Sequence, residues 1–511
     1  MKYLNKIIEY GLYLLVFLLP IQTRWIIKSG EINNGYWEYG TYSLYGTDIL
    51  LLIILLLFII VIASGTKWSE AISRTSSLYK MSTILKFDIP EIASSSPAKF
   101  WRGTPRNDSG GYVWWIIAGL DLAVFVSIFF AADKVLALFY YSRFLLGIGL
   151  FWLVVNAHYD RIKIIWSLLA GFLLQAGLGI WQFLSQTTFV NKWLGLALHR
   201  AGDLGTSVIE TVGAGGVGER WLRAYGGLDH PNILGGMLAV GIILLIYFIL
   251  INEKRFRITN YELRITNLGY NIRKSILWLM LVLFFVALFF SFSRAAWLAV
   301  LAGLVVIIVL TVLIKNLRWQ KGLAEIILLL GVLAFLLFNQ YQNLVETRSS
   351  VSLLASGRLE NKSNIARLES YKNSWQLIKN NWLMGVGAGN YTLALKNKLA
   401  ENLASYDYQP AHNVFLLVWA ETGIVGLLFF IILFLYLLIS NFKFLISNQC
   451  PIFNNPIINI GIIIFLLIII IFDHWLWSLH FGILFFWLII GLVYRRGRDT
   501  PWRVSTDADM V

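Results

Sequence analysis

Cysteine is nearly absent. The single residue, Cys450, excludes an internal disulfide and any Cys-built metal cluster. Charge is sparse as well: charged residues make up 14% of the chain, against about a quarter in an ordinary soluble domain. The six histidines show no HExxH or comparable ligand spacing, so a protein-built metal site is not expected. The start, Met1-Lys2-Tyr3-Leu4, runs into an apolar stretch without a small-residue cleavage site and reads as a first membrane helix. Short alternating segments of the kind that build membrane β-barrels are missing. So are the paired, helix-broken halves that mark many transporters.

Apolar sequence takes their place. Hydrophobic residues are 58% of the chain and the mean hydropathy is +0.69. Runs long enough to cross a bilayer recur throughout. They predict an all-α, polytopic membrane protein of about twelve spans, near 7–23, 47–64, 112–131, 135–156, 163–186, 232–251, 275–292, 294–314, 323–339, 412–440, 457–477 and 480–494. The span from His412 is long and is expected to tilt or bend near Gly423 and Gly426. The chain divides into N-terminal helices (1–186), central helices (187–339), one large polar loop (340–411), C-terminal helices (412–494) and a tail (495–511).

Charge sets the orientation. With a cytoplasmic N-terminus the inner segments hold 25 Lys and Arg and the outer ones 16, of which 8 lie in the 340–411 loop. That loop is too long for the positive-inside rule to count. The net charge of +14 therefore reads as topology, and no nucleic-acid partner is expected. Arg223, Arg294, Arg367 and His412 then share the outer surface. The inner loops 65–111 and 252–274 carry no expected chemistry.

Each motif has a plain alternative. Arg223 precedes Asp229-His230-Pro231-Asn232; Pro231 suits a first helical turn and Asp229 its cap, with Arg223 merely snorkelling. Ser291-Phe292-Ser293-Arg294 must turn tightly between two spans, which leaves Arg294 at the membrane face in need of an anionic partner. Arg367 sits on a helix whose apolar positions 368, 371, 375 and 378 share one face, as in a helix lying on a membrane. Gly385-Val386-Gly387-Ala388-Gly389-Asn390 follows no strand, so a nucleotide loop is excluded; a plain turn is preferred over an amide cradle for phosphate. Asp121, Arg143, Glu421 and Asp473 lie in or beside spans and should face the bundle interior. Asp473, beside His474 and Trp475, is the one nearest to a functional role.

Together these stretches resemble the O-antigen ligase and O-antigen polymerase superfamily. The resemblance rests on Ser291-Phe292-Ser293-Arg294-Ala295-Ala296-Trp297, on the Arg367 helix running into Asn381-Trp382-Leu383-Met384 and the glycine turn, on His412-Asn413-Val414-Phe415-Leu416, and on Glu421-Thr422-Gly423. It implies a type C glycosyltransferase in the bacterial cytoplasmic membrane with its site outside. The reaction would be inverting and need no metal or other cofactor. The donor would be a glycan on undecaprenyl diphosphate, and the acceptor a sugar hydroxyl, free or lipid-linked. His412, Arg367 and Arg294 would be catalytic, with Arg223, Asp473 and Asn413 binding substrate among membrane lipids. His412 is expected in the first turn of its helix, where the dipole and nearby arginines would keep the ring neutral. It would serve as base or as diphosphate ligand. A polysaccharide polymerase fits the same residues. A lipid-linked glycan transporter is the alternative of another class, against which stand the missing paired halves and the single large outer loop; a structural or polysaccharide-sensing protein leaves the outer arginines and histidine unexplained.

Overall fold

The structure, a computed structural model, describes residues 2–64, 111–203, 205–212, 218–251, 267–349, 358–398, 403–447 and 455–495. Cys450 and most of the inner loops 65–111 and 252–274 lie outside these residues. Nine described helices are long and apolar enough to cross a membrane. Taking the helices in chain order, these are α2 (Gly46–Ser64), α3 (Tyr112–Ser127, extended by a 3-10 turn), α4 (Lys134–Asn156), α5 (Arg161–Ser185), α6 (Pro231–Ile251), α7 (Asn267–Ser291), α8 (Arg294–Leu313), α9 (Leu317–Gln340) and α13 (Val414–Ile446). Two further apolar helices among the described residues are shorter, α14 (Pro456–Phe472) and α16 (His480–Tyr494), and α1 (Lys2–Leu18) precedes α2. The chain is an all-α polytopic membrane protein.

Short polar side chains set many of the boundaries. Asp133, Asp160, Asn316, Asn413 and Asn455 each accept a backbone amide at the start of α4, α5, α9, α13 and α14. At the core is α6, 94% buried over its apolar window and apolar on every side, as a helix enclosed by others should be. It packs on α5, α7, α8 and α14; α13 packs on α3 and α14, and α16 on α4.

The polar segment after α9 folds into α10 (Gln342–Ser349), α11 (Arg358–Asn381) and α12 (Tyr391–Lys398). On α11 the packing face is not the expected apolar stripe. Ser374, Leu377 and Ile378 are buried, whereas Leu368 and Trp375 are 60% and 46% exposed. The helix turns its narrow buried face, which includes Ile378 of the stripe, to α13 and leaves Leu368 and Trp375 outward.

Three small hairpins, which the apolar pattern did not reveal, lie outside the spans. β1 (Arg24–Lys28) pairs with β4 (Tyr42–Tyr45), β2 (Glu31–Ile32) with β3 (Gly35–Tyr36), and β5 (Val208–Val212) with β6 (Gly218–Leu222), all antiparallel. Asn33 and Asn34, at φ 49° and 58°, make the tight β2–β3 turn. Asn-Asn-Gly is turn chemistry that could have been read from the sequence.

The bend in α13 falls at Gly423, with φ 72° and ψ −176°. A Cβ there would stand 1.9 Å from the Leu383 carbonyl oxygen, in a backbone region that is essentially glycine-only. Gly423→Ala should lower the apparent melting temperature in detergent, through a cost on the order of 3 kcal/mol for the strained conformation. Gly331→Ala, on α9 with nothing within 4 Å of the added carbon, is the control and should be neutral or slightly stabilising. Equal melting of the two variants would show that the bend is not built into the fold.

Candidate active site

Four segments distant in sequence converge at one end of the bundle: the start of α6, the α7–α8 turn, the start of α13, and the link from α14 to the short helix α15 (Trp475–Ser478). Two adjacent glycines of α6 bring two of them close. A Cβ on Gly235 would meet Ser291 and Ser293, and one on Gly236 would meet Trp475.

Arg223 ties these pieces together. It is 5% exposed, so it does not snorkel. Its Nε donates to Ser291 O (2.8 Å), Nη1 to Ser207 Oγ (2.7 Å) and Nη2 to Asn232 Oδ1 (2.8 Å). Asn232 passes the connection on, donating from Nδ2 to Asp473 Oδ2 at 3.0 Å. The other carboxylate oxygen accepts the His474 amide at 2.8 Å. Arg223 and Asn232 thereby aim Asp473 from across the bundle. The expected cap, Asp229, is replaced by His230, whose Nδ1 accepts the Asn232 amide at 3.1 Å. Any single ring proton on His230 therefore sits on Nε2.

His412 stands one residue before Asn413, which caps α13 by accepting the Leu416 amide at 3.0 Å. The histidine is thus just outside the first turn where it was expected, and Asn413 has a capping role. His412 Nδ1 is buried and has no hydrogen-bond partner among the described residues. Its ring lies 5.1 Å from the His474 ring, and His474 Nδ1 is held by Ser478 Oγ at 2.7 Å. Burial pushes the His412 pKa down; the Asp473 carboxylate opposes this, and the Arg367 guanidinium adds to it. Burial, with the neighbouring His412, pushes His474 down to about 3. For Asp473, burial pushes the carboxyl up, but the imidazoles of His474, His412 and His230 and the Asn232 amide more than offset it, leaving the pKa below the usual range. The arrangement is one anionic carboxylate among neutral rings, one of them with an unsatisfied nitrogen.

Arg367, half-buried on α11, is near enough to act on the His412 ring. Arg294 opens α8 after a turn in which Phe292 is held left-handed at φ 48° and Ser293 Oγ accepts the Ala296 amide at 3.4 Å. It is exposed at the rim of an apolar groove, and the connection from it to the histidines runs through the turn, Arg223 and Asn232.

The glycine turn is occupied from within. Gly385, Gly387 and Gly389 have φ of 74°, 94° and 67°. Side chains there would strike the Glu421 backbone, Ala131 and the Tyr140 ring. The amides of Gly389 and Tyr391 donate to the Glu421 carboxylate, which also accepts Trp477 Nε1–H at 2.9 Å. The cradle exists, but it holds the protein's own carboxylate. Arg143 likewise finds protein partners: it donates to Ser43 O at 3.2 Å and lies over Phe139 at 4.3 Å. Asp121 accepts from Tyr141 Oη at 3.4 Å.

The hairpin module before α2 is a part of the site that the motifs missed. Asn33 Nδ2 donates to Leu403 O (2.9 Å) and Tyr408 Oη (3.2 Å), four residues before His412. The Tyr39 ring lies 5.8 Å from His474. The module is braced by an Arg24–Glu38 ion pair. It roofs the histidines and also stands over Asp229, whose pKa rises to about 6 through burial and the Glu38 charge, against Arg24 and Arg143.

Sequence spacing gave no reason to expect a metal site, yet among the described residues space brings one possible ligand set together. His412, Asp473 and His474 each offer a ligand atom within 4.8 Å of the others.

Residues 279–431 match the family model described as O-antigen ligase. Over those residues the chain is similar to the O-antigen ligase family. The match includes Arg294, Arg367 and His412; Arg223, His230, Asn232, Asp473 and His474 lie outside it and join them through the contacts above. No curated protein matches the chain.

Proposed function

We propose that this O-antigen ligase-like protein is an inverting glycosyltransferase of the bacterial cytoplasmic membrane. It would move a glycan from undecaprenyl diphosphate to an acceptor sugar hydroxyl on the outer face. The observation that carries the reading is His412 Nδ1, buried and without a hydrogen-bond partner among the described residues, beside Asp473 and under the influence of Arg367. A neutral imidazole with an open nitrogen can take the acceptor proton.

The acceptor oxygen attacks the anomeric carbon as the bond from that carbon to the diphosphate oxygen breaks. The hydroxyl proton passes to His412, and the leaving diphosphate keeps the electron pair. Negative charge grows on the leaving group at the membrane surface, where Arg294 and Arg367 stabilise it more than they would in bulk water. Asp473 stabilises the imidazolium that forms, and Arg223 holds Asp473 in place through Asn232. Arg223 and Asp473 on this account position the site, whereas a merely snorkelling Arg223 would not be bound by Ser291 and Asn232.

Reconstitution with a lipid-linked glycan tests the reading. Transfer to a core-type sugar acceptor identifies a ligase; lengthening of the lipid-linked glycan identifies a polymerase; movement across vesicles without a new glycosidic bond overturns the enzyme reading. EDTA should leave turnover unchanged. Loss in EDTA, restored by magnesium or manganese, would overturn the arginine account and move attention to a cation held by His412, Asp473 and His474.

A further inference from the structure

Three side chains meet at the histidine cluster, and the proposed transfer uses only two of them. His474 has no part in it. Yet His412, Asp473 and His474 each place a ligand atom within 4.8 Å of the other two. Two imidazoles and one carboxylate make the kind of three-residue set that holds zinc with a fourth position open. A tetrahedral ion with bonds of about 2.1 Å needs ligand atoms about 3.4 Å apart. No pair in the cluster therefore has to close by more than about 1.4 Å.

The surroundings already orient such ligands. Ser478 Oγ pairs with His474 Nδ1 at 2.7 Å, which leaves Nε2 as the nitrogen for a ligand role and fixes the plane of the ring. A hydrogen bond on the far nitrogen is what orients a metal-bound imidazole. Asp473 accepts Asn232 Nδ2 on one oxygen and the His474 amide on the other, and an ionised carboxylate keeps lone pairs on both. His412 stands in the link before the Asn413 cap, outside α13. Its Nδ1 is buried with no hydrogen-bond partner among the described residues, so its ring is the one that can swing to close the set.

Donor chemistry chooses the ion. Magnesium and calcium prefer shells of oxygen. Two imidazoles favour zinc, and cobalt(II) as its coloured substitute. One charge opposes any cation here, the Arg367 guanidinium that bears on the His412 ring.

We propose that His412, Asp473 and His474 form a zinc site, and that a bound ion stops turnover by occupying the nitrogen that takes the acceptor proton. The inhibition rests on the base reading above; the site does not. Zinc is here an inhibitor and not a cofactor.

The test uses the full-length protein in nanodiscs, with any polyhistidine tag removed. Titration with cobalt(II) should give the saturable visible bands of a four-coordinate ion. Zinc should bleach them and magnesium should not. Absence of the bands overturns the proposal. Asp473→Asn and His474→Ala should each weaken zinc binding by more than about 100-fold. Ser478→Ala, which keeps all three ligands, should weaken it about tenfold, as loss of an orienting partner does. Arg367→Gln should tighten it. Bands of full strength in both the Asp473 and His474 variants would put the ion elsewhere and overturn the proposal; His474→Gln and metal-free melting of each variant guard against a folding defect. Saturating zinc should stop glycan transfer, and excess EDTA should restore it. Bands with transfer unaffected by zinc keep the site and sink the base reading. Inhibition without bands sinks the site alone. The bands need no turnover, so they decide the site even if no transfer is seen.

Discussion

Replacing His412 with alanine should lower turnover by about 10²–10⁴-fold, the range for loss of a general base, with donor affinity nearly unchanged. The pH profile carries the more specific expectation. A base works when neutral, so turnover falls as pH drops through the pKa of His412. Burial and Arg367 hold that pKa below the ordinary histidine value, which puts the acidic limb below about pH 6.5. The limb should vanish in His412→Ala and His412→Gln. Asp473→Asn removes the influence that raises the pKa, so the remaining activity should show the limb at still lower pH. Arg367→Gln removes one that lowers it, so the limb should move up. Near-normal turnover in His412→Gln, which can hydrogen-bond but cannot take the proton, would make the histidine a positioning residue.

Arg294→Ala and Arg367→Ala should each cost about 10²–10³-fold in turnover, as when one donor to a developing oxyanion is removed. Lysine at either position should recover little, because a point charge does not reproduce the planar fork on phosphate. The two arginines should nevertheless differ. Arg367 bears on the His412 ring, so its loss shifts the pH profile as well as the rate. Arg294 lies at the groove rim, so its loss should lower the rate and weaken donor binding with the acidic limb in place. Unaltered melting in detergent separates these effects from unfolding. Full activity in either alanine variant would remove that arginine from the diphosphate site.

Composition and periodicity by themselves determined that the chain is a bundle of membrane helices. Apolar runs have one stable solution in a bilayer, because every backbone amide must be satisfied within the helix. The same local logic located the Ser291–Arg294 turn, which is too short for any other path, and the bend of α13 at Gly423, where a side chain has no room. The residue pattern around Arg294, Arg367 and His412 also pointed to the family before any contact was known. Tertiary structure alone decided what these residues face. Arg223 looked like an interface anchor in its own segment and is a buried brace, because its acceptors come from the α7–α8 turn and from Asn232. The glycine turn reads as a plain turn, and its amides hold the Glu421 carboxylate of α13. His474 and the roof of hairpins around Tyr39 carried no motif. Their meeting with His412 depends on helices that pack across long stretches of chain, and such contacts leave no periodicity in sequence. Local spacing records what a segment does with its own backbone; the site is made of side chains that only packing brings within reach.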